Sequence, residues 1–196
     1  MTEIALLRHF PTAWNEAGRL QGRTDIPLSP ASVEALKSLR LPDRWRAARL
    51  IASPLARAAA TAEALAEGRP VATDPRLIEL DLGAWEGRVG AELLADPASG
   101  YGPVEGWTLA LRPPGGESIA EMTARLAALL RDLAGGPPTV LVAHRGVMRG
   151  ILGLATGWEW EGPEPFRIRR NRLHPLRLRP DGTPEAPGPP EPLVPR

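Results

Sequence analysis

Two histidines and two arginines carry most of the chemistry that this sequence offers. His9 lies in LLRHFPTAWN, straight after an apolar run and beside Arg8, and His144 lies in VAHRGV, straight after the apolar run TVLVA. Imidazole titrates near neutral pH, and in its neutral form it is a competent nucleophile. A neighbouring guanidinium suits an anion, so Arg8 and His9 read as an anion holder and a nucleophile. Arg57 follows Ser53-Pro54, in the first turn of an expected helix, where free N–H groups and positive potential already favour an anion. Together these four side chains would suit a phosphoryl group. Taken one at a time, each histidine has a blander reading as a structural or surface residue.

Convergence requires elements that bring distant residues to one place. Strand-like apolar runs occur at Ile4–Leu7, Leu50–Ala52 and Thr139–Ala143, each followed by a helical segment. That is the pattern of an α/β domain with a mainly parallel sheet. His9 and His144 both fall just past the carboxyl end of a strand, where open parallel sheets form their ligand crevices. Ser29-Pro30 predicts an N-cap with proline at the first helical position and a helix to about Arg40. Ser53-Pro54 repeats the signal, with Gly68 as the expected stop. Ser118-Ile-Ala-Glu121 is a capping box, opening a helix whose Ile119, Met122, Leu126, Leu129 and Leu133 share one face and which Gly135 should end. A further helix is predicted from Gly146 to Thr156, stopped by Gly157. Residues 88–116, with several glycines and prolines around one helical piece at Gly90–Ala95, read as an insertion or lid of the kind that carries substrate contacts. The domain is expected to span 1–179, with 180–196 a proline-rich, poorly ordered tail.

Composition narrows the function classes. The 196 residues suffice for one well-packed domain, and 43% hydrophobic with 24% charged is ordinary for a globular protein. A formal net charge of +1 gives no global field for nucleic acid or an anionic membrane. With no cysteine there are no disulfides and no thiolate metal sites. No secretory segment and no run near the roughly 20 apolar residues of a membrane span is visible, so the expectation is a soluble cytoplasmic protein. FRIRRNRLHPLRLRP suggests nucleic acid at first sight, but Phe166/Ile168 and Leu176/Leu178 alternate with Arg167/Arg169 and Arg177/Arg179. A strand with one wet face, at the sheet edge because of Pro175, is the reading that follows. His174 then reads as a strand-edge residue. Trp45, Trp158 and Trp160 read as packing or dimer surface, and Trp107 as a lid residue that could touch substrate.

At this point the chain resembles the histidine phosphatase superfamily, which includes the cofactor-dependent phosphoglycerate mutases. LLRHFPTAWN is similar to its Arg-His-Gly signature followed by Thr and Asn. LQGRTDIPLSP, SPLARAAATA, LIELDLGAWEG, PPGGES and VAHRGV match the later blocks in order and spacing, over roughly residues 4–157. The resemblance implies a phosphoglycerate mutase-like three-layer α/β sandwich, a mainly parallel central sheet flanked by helices. It also implies that His9 becomes a phosphohistidine, with Arg8, Arg57 and His144 around the phosphoryl oxygens. Glu79 matches the general acid/base, although LIELDLGAWEG also offers Asp81 and Glu86. A carboxyl group in that role should be partly desolvated. Asn15, Gln21 and Gly22 match positions that help bind the phosphate. No metal or cofactor is required, because arginines and His144 do the neutralising. The partner is a small phosphorylated metabolite, and a homodimer is what relatives suggest.

Two departures stand out. Phe10 occupies the position where the family usually has glycine; a positive φ there would strain it, whereas a negative φ would let the ring wall the pocket. Arg145 follows His144 where a small residue is common, and either adds a substrate contact or points away. Only 27 residues separate Gly87 from Gly115, less than in the mutases, which favours a phosphomonoesterase. The rivals are phosphoglycerate mutase-type transfer and a catalytically silent protein that binds phosphorylated ligands.

Overall fold

The structure, a computed structural model, describes residues 1–103 and 106–196. Four strands run parallel: β1 (Thr2–Arg8), β3 (Arg49–Ala52), β4 (Val71–Thr73) and β5 (Thr139–Ala143). Two more, β6 (Arg172–Leu178) and β7 (Glu191–Pro192), add antiparallel to give the order β4-β3-β5-β1-β6-β7. A separate pair joins β2 (Leu39–Arg40) to β8 (Val194–Pro195).

Period-two alternation splits each central strand between two cores. Ile4 and Leu6 of β1, with Leu141 and Ala143 of β5, face the helices α5 (Ile119–Leu133) and α6 (Arg145–Thr156). Ala5, Leu7, Val140 and Val142 face the other way, onto α2 (Pro30–Lys37) and α3 (Ala56–Ala66). The result is three layers, with β5 buried along its whole length. Two short helices, α1 (Ala13–Glu16) and α4 (Gly90–Leu94), lie outside the layers. The Ser118 capping box forms as read, with Glu121 reaching back to the Ser118 N–H, and α6 ends on left-handed Gly157. Among the described residues no helix is long and apolar enough to cross a membrane.

Several local expectations are corrected. The helix from Ser29 ends at Lys37, because Leu39-Arg40 pairs with the C-terminal strand instead. Ser53 does not cap a helix opened by Pro54; Leu55 is the N-cap and Ser53 Oγ turns to other partners. The strand predicted across Phe166–Arg169 begins only at Arg172, after Asn171 with φ 55°. β6 is not the edge strand, since β7 pairs beyond it at Arg172 and Leu173; Pro175 lies past that short ladder, opposite Ala5 of β1. Residues 180–196 are not a loose tail. They form β7 and β8, bury Leu193, and offer Glu191 to the indole N–H of buried Trp45. Of the segment 88–116, residues 104 and 105 lie outside the described residues; the remainder folds over Trp85, whose ring meets Tyr101 edge-on and whose N–H donates to the Ser99 carbonyl.

Candidate active site

Strand register makes the two histidines neighbours. Arg8 of β1 lies opposite Ala143 of β5, and the chain continues with His9 N–H donating to the Ala143 carbonyl at 2.9 Å. His9 and His144 therefore leave adjacent strands at the same height, and their ring centroids are 5.1 Å apart. β3 lies on the other side of β5, so Ser53 and, in the first turn of α3, Arg57 arrive at the same edge. All four side chains are buried.

Hydrogen bonds set the tautomers. His9 Nδ1 lies 2.6 Å from the Phe10 carbonyl, which can only accept, so Nδ1 carries the proton and Nε2 keeps its lone pair. Arg57 Nε, which can only donate, lies 3.3 Å from His144 Nδ1. The proton of neutral His144 is then on Nε2, 2.8 Å from Ser53 Oγ. Burial, then the positive charge of Arg57, holds His9 well below the ordinary histidine range. Burial, then His9 and Arg57, does the same for His144. Both rings are neutral at pH 7. Arg8 is pulled down to about 10, by burial first and Arg170 second, and stays charged.

His9 opens onto a cavity of about 360 Å³ whose wall includes Arg8, Asn15, Gln21, Glu79, Arg145 and Arg170. Among the described residues, Arg8 Nε and Gln21 Nε2 are buried there without a hydrogen-bond partner. Gln21 Oε1 is already occupied by Thr12 Oγ1 and Asn15 Nδ2, which fixes the amide so that its N–H groups are the end left over. Unpartnered buried donors beside a neutral histidine are what an oxyanion would satisfy.

Glu79 reaches the cavity from the segment after β4. Oε1 accepts from the Leu80 and Val147 N–H groups at 2.8 and 3.2 Å, and Oε2 accepts from Gly146 at 2.9 Å. The carboxyl group thus sits on the first turn of α6, and it is buried. Asp81 and Glu86 do not line the cavity. Asp81 accepts from the Gly83 N–H and faces Arg23, and Glu86 holds the Arg23 and Thr24 N–H groups. Glu86 thereby steadies the loop whose Gly22 and Thr24 carbonyls receive the Arg57 guanidinium, at 2.6 and 3.0 Å.

Not every expected residue faces the cavity. Arg57, His144 and Gly22 are not part of its wall, and Gly22 acts through its carbonyl on Arg57. Phe10 does not wall the pocket. Its φ is not positive, its N–H donates to Thr61 Oγ1, and its ring is buried in the α2/α3 core. Arg145 does reach the cavity wall, with Glu164 at 3.6 Å on its other side. Trp107 and Tyr101 line the wall as well. His174 is buried inside β6 rather than at an edge, accepting from the Arg169 N–H. Trp158 and Trp160 stack at 5.0 Å and flank the Arg149 guanidinium.

Ser53, Arg149 and Arg170 escaped the sequence reading. Ser53 looked like a helix cap, and Arg170 was absorbed into an alternating strand. The doublet Arg169-Arg170 followed by Asn171 breaks that alternation, and was the available signal of a turn.

A mainly parallel α/β sheet that presents two neutral histidines, arginines and a carboxyl group at one edge suits phosphoryl-group chemistry. Comparison with known proteins agrees with that class. Residues 4–184 match the histidine phosphatase superfamily (branch 1), and the chain belongs to that superfamily. A probable phosphoglycerate mutase, GpmB, of Yersinia pestis (strain Pestoides F) is 30% identical over 179 residues, covering 88% of this chain and 83% of that protein. A phosphoserine phosphatase mutant from Entamoeba histolytica, crystallised with phosphoserine, superposes with a TM-score of 0.81 at 25% identity, covering 97% of both chains. A mycobacterial glucosyl-3-phosphoglycerate phosphatase in complex with VO3 gives 0.71 at 31% identity, covering 90% of this chain and 93% of that one. The phosphoglycerate mutase-like fold read from the sequence is therefore the fold of this chain.

Proposed function

We propose that this protein is a phosphomonoesterase that hydrolyses a small phosphorylated metabolite through a phosphohistidine on His9. The observation that carries the reading is the locked His9 ring: Nδ1–H on the Phe10 carbonyl leaves the Nε2 lone pair for phosphorus. In the first half-reaction Nε2 forms the N–P bond as the ester P–O bond breaks, and the leaving oxygen takes a proton from Glu79. In the second, Glu79 takes a proton from water, whose oxygen attacks phosphorus and releases inorganic phosphate and free His9. Arg8 and the Gln21 amide meet the phosphoryl oxygens from the cavity wall, with Asn15 holding that amide. Arg57 supplies positive potential and, bonded to neutral His144, a hydrogen-bonded frame beside the ring. The phosphatases among the structural neighbours, one bound to phosphoserine, support a small phosphorylated substrate.

Phosphoglycerate mutase-type transfer is the second reading, favoured by the name of the Yersinia relative. Phosphate release from p-nitrophenyl phosphate, measured beside isomerisation of 3-phosphoglycerate, separates the two. The expected result is hydrolysis, with an acid-labile phosphate trapped on His9 by rapid quenching and lost in His9→Ala. Efficient isomerisation with negligible hydrolysis would establish the mutase instead. No turnover and no trapped phosphate would leave a silent phospho-ligand binder.

A further inference from the structure

Beyond the groups assigned to the phosphoryl oxygens, the cavity holds more positive charge than one phosphate accounts for. Arg145 is the first residue of α6, directly after His144. Arg170 lies three residues before Leu173, which pairs with Leu7 of β1, and β6 runs antiparallel to β1. Topology therefore returns Arg170 to the edge where His9 leaves the sheet, and both guanidinium groups line the same cavity. Each bears on the catalytic group: the positive charges of Arg170 and Arg145 both act on Arg8, and Arg170 acts on His9.

Neither charge is well compensated. Arg170 makes no ion pair among the described residues, and the charged group acting on it is Arg145, a like charge. Arg145 has only Glu164 Oε1 at 3.6 Å, and Arg149 Nε takes that same oxygen at 2.8 Å. Glu79 offsets part of the charge on Arg8, but Arg145 and Arg170 are exposed cations beside one another, one with a distant carboxylate and the other with none among the described residues, and they repel unless an anion joins them. Guanidinium forks match the planar oxyanions of carboxylates and phosphates.

We propose that Arg145 and Arg170 form a subsite for a second oxyanion, so that the preferred substrate is a phosphomonoester whose leaving group bears a carboxylate or another phosphate. This rests on the phosphatase reading and narrows its substrate class. The phosphoryl group sits at His9, Arg8 and Gln21, and the leaving group extends to the mouth of the cavity where the two arginines stand.

Three esters on one glycerol frame test it: glycerol 3-phosphate, 3-phosphoglycerate and glycerol 1,3-bisphosphate. The wild type is expected to favour at least one of the two anionic esters over glycerol 3-phosphate by about tenfold in kcat/KM, chiefly through KM and less so as salt is raised. Which ester gains distinguishes a carboxylate from a second phosphate. In the double variant Arg145→Gln/Arg170→Gln the preference should fall to within about twofold. Calorimetry on His9→Ala protein measures the same order as Kd without turnover. A wild type that hydrolyses none of the three overturns the phosphatase reading, and the Kd order still decides the subsite. Equal kcat/KM and equal Kd across the three esters, or a preference that survives the double variant, overturns the subsite while leaving the chemistry intact.

Discussion

Gly146→Ala separates the role of Glu79 from the stability of the fold. A Cβ on Gly146 would lie 2.5 Å from Glu79 Oε1 and 3.1 Å from its Cδ. The carboxyl is the far end of a flexible side chain, so it would retreat, by about 1 Å to reach an ordinary contact. That retreat stretches the 2.9 Å bond from Gly146 and the 3.2 Å bond from Val147 beyond hydrogen-bonding range. Leaving two N–H donors without their acceptor costs about 1–3 kcal/mol each, whereas alanine in a helix gains at most about 1 kcal/mol over glycine. With partial rescue by water, a net destabilisation of about 1–3 kcal/mol follows, a fall of several degrees in Tm. The effect on catalysis is larger. A proton donor contributes about 10²–10⁴-fold, and a 1 Å misplacement can cost about 10²-fold. Turnover of an alkyl ester such as 3-phosphoglycerate should therefore drop by about 10²-fold or more. p-Nitrophenyl phosphate, whose leaving group departs as a stable anion without a proton, should lose much less in the phosphorylation step. Burst-phase kinetics on both esters, beside a melting curve, read the difference. Equal losses on the two esters would refute Glu79 as proton donor, and an unchanged alkyl-ester rate would refute its placement.

Two further outcomes follow from burial and charge. His9, His144 and His174 are all held below 6.5 in the folded chain, burial first in each case, so the unfolded chain binds more protons as pH falls. Stability should therefore decline as pH drops below about 6.5, by up to about 1.4 kcal/mol per pH unit for each histidine. Denaturant titrations from pH 8 to 5 should show this, with a shallower slope in His174→Gln, and a flat profile would contradict the neutral rings. Deleting residues 190–196 removes Leu193 from the core and Glu191 from Trp45, at a cost of about 3–4 kcal/mol. Tm should fall by roughly 5–15 °C, and an unchanged melting curve would show that this segment does not stabilise the domain.

Much of the scaffold was legible because its signals are short-range. The apolar run TVLVA became β5 with the expected bounds, and the Ser118 capping box opened α5 where it was read. The positions of His9 and His144 after two apolar runs sufficed to anticipate a shared edge, because parallel strands leave their C-terminal ends side by side. Signals failed where a residue's partner is distant in the chain. Ser53 has the form of a helix cap, yet its hydroxyl meets His144, 91 positions away. The proline-rich C-terminus lacks apolar content of its own, yet two backbone ladders and the Trp45 indole order it.

Residue order alone determined the alternation that divides two cores, the capping box that opens α5, the glycine that stops α6, and which ionisable groups stand at strand ends. These depend on periodicity and on hydrogen bonds between residues a few positions apart. Tertiary structure alone decided that Glu79, rather than Asp81 or Glu86, enters the cavity, that the Phe10 ring turns into the core, and that Arg170 returns beside His9. Each of those outcomes depends on strand register and on loops meeting across the sheet edge, where direction in space, and not distance along the chain, fixes what a side chain touches.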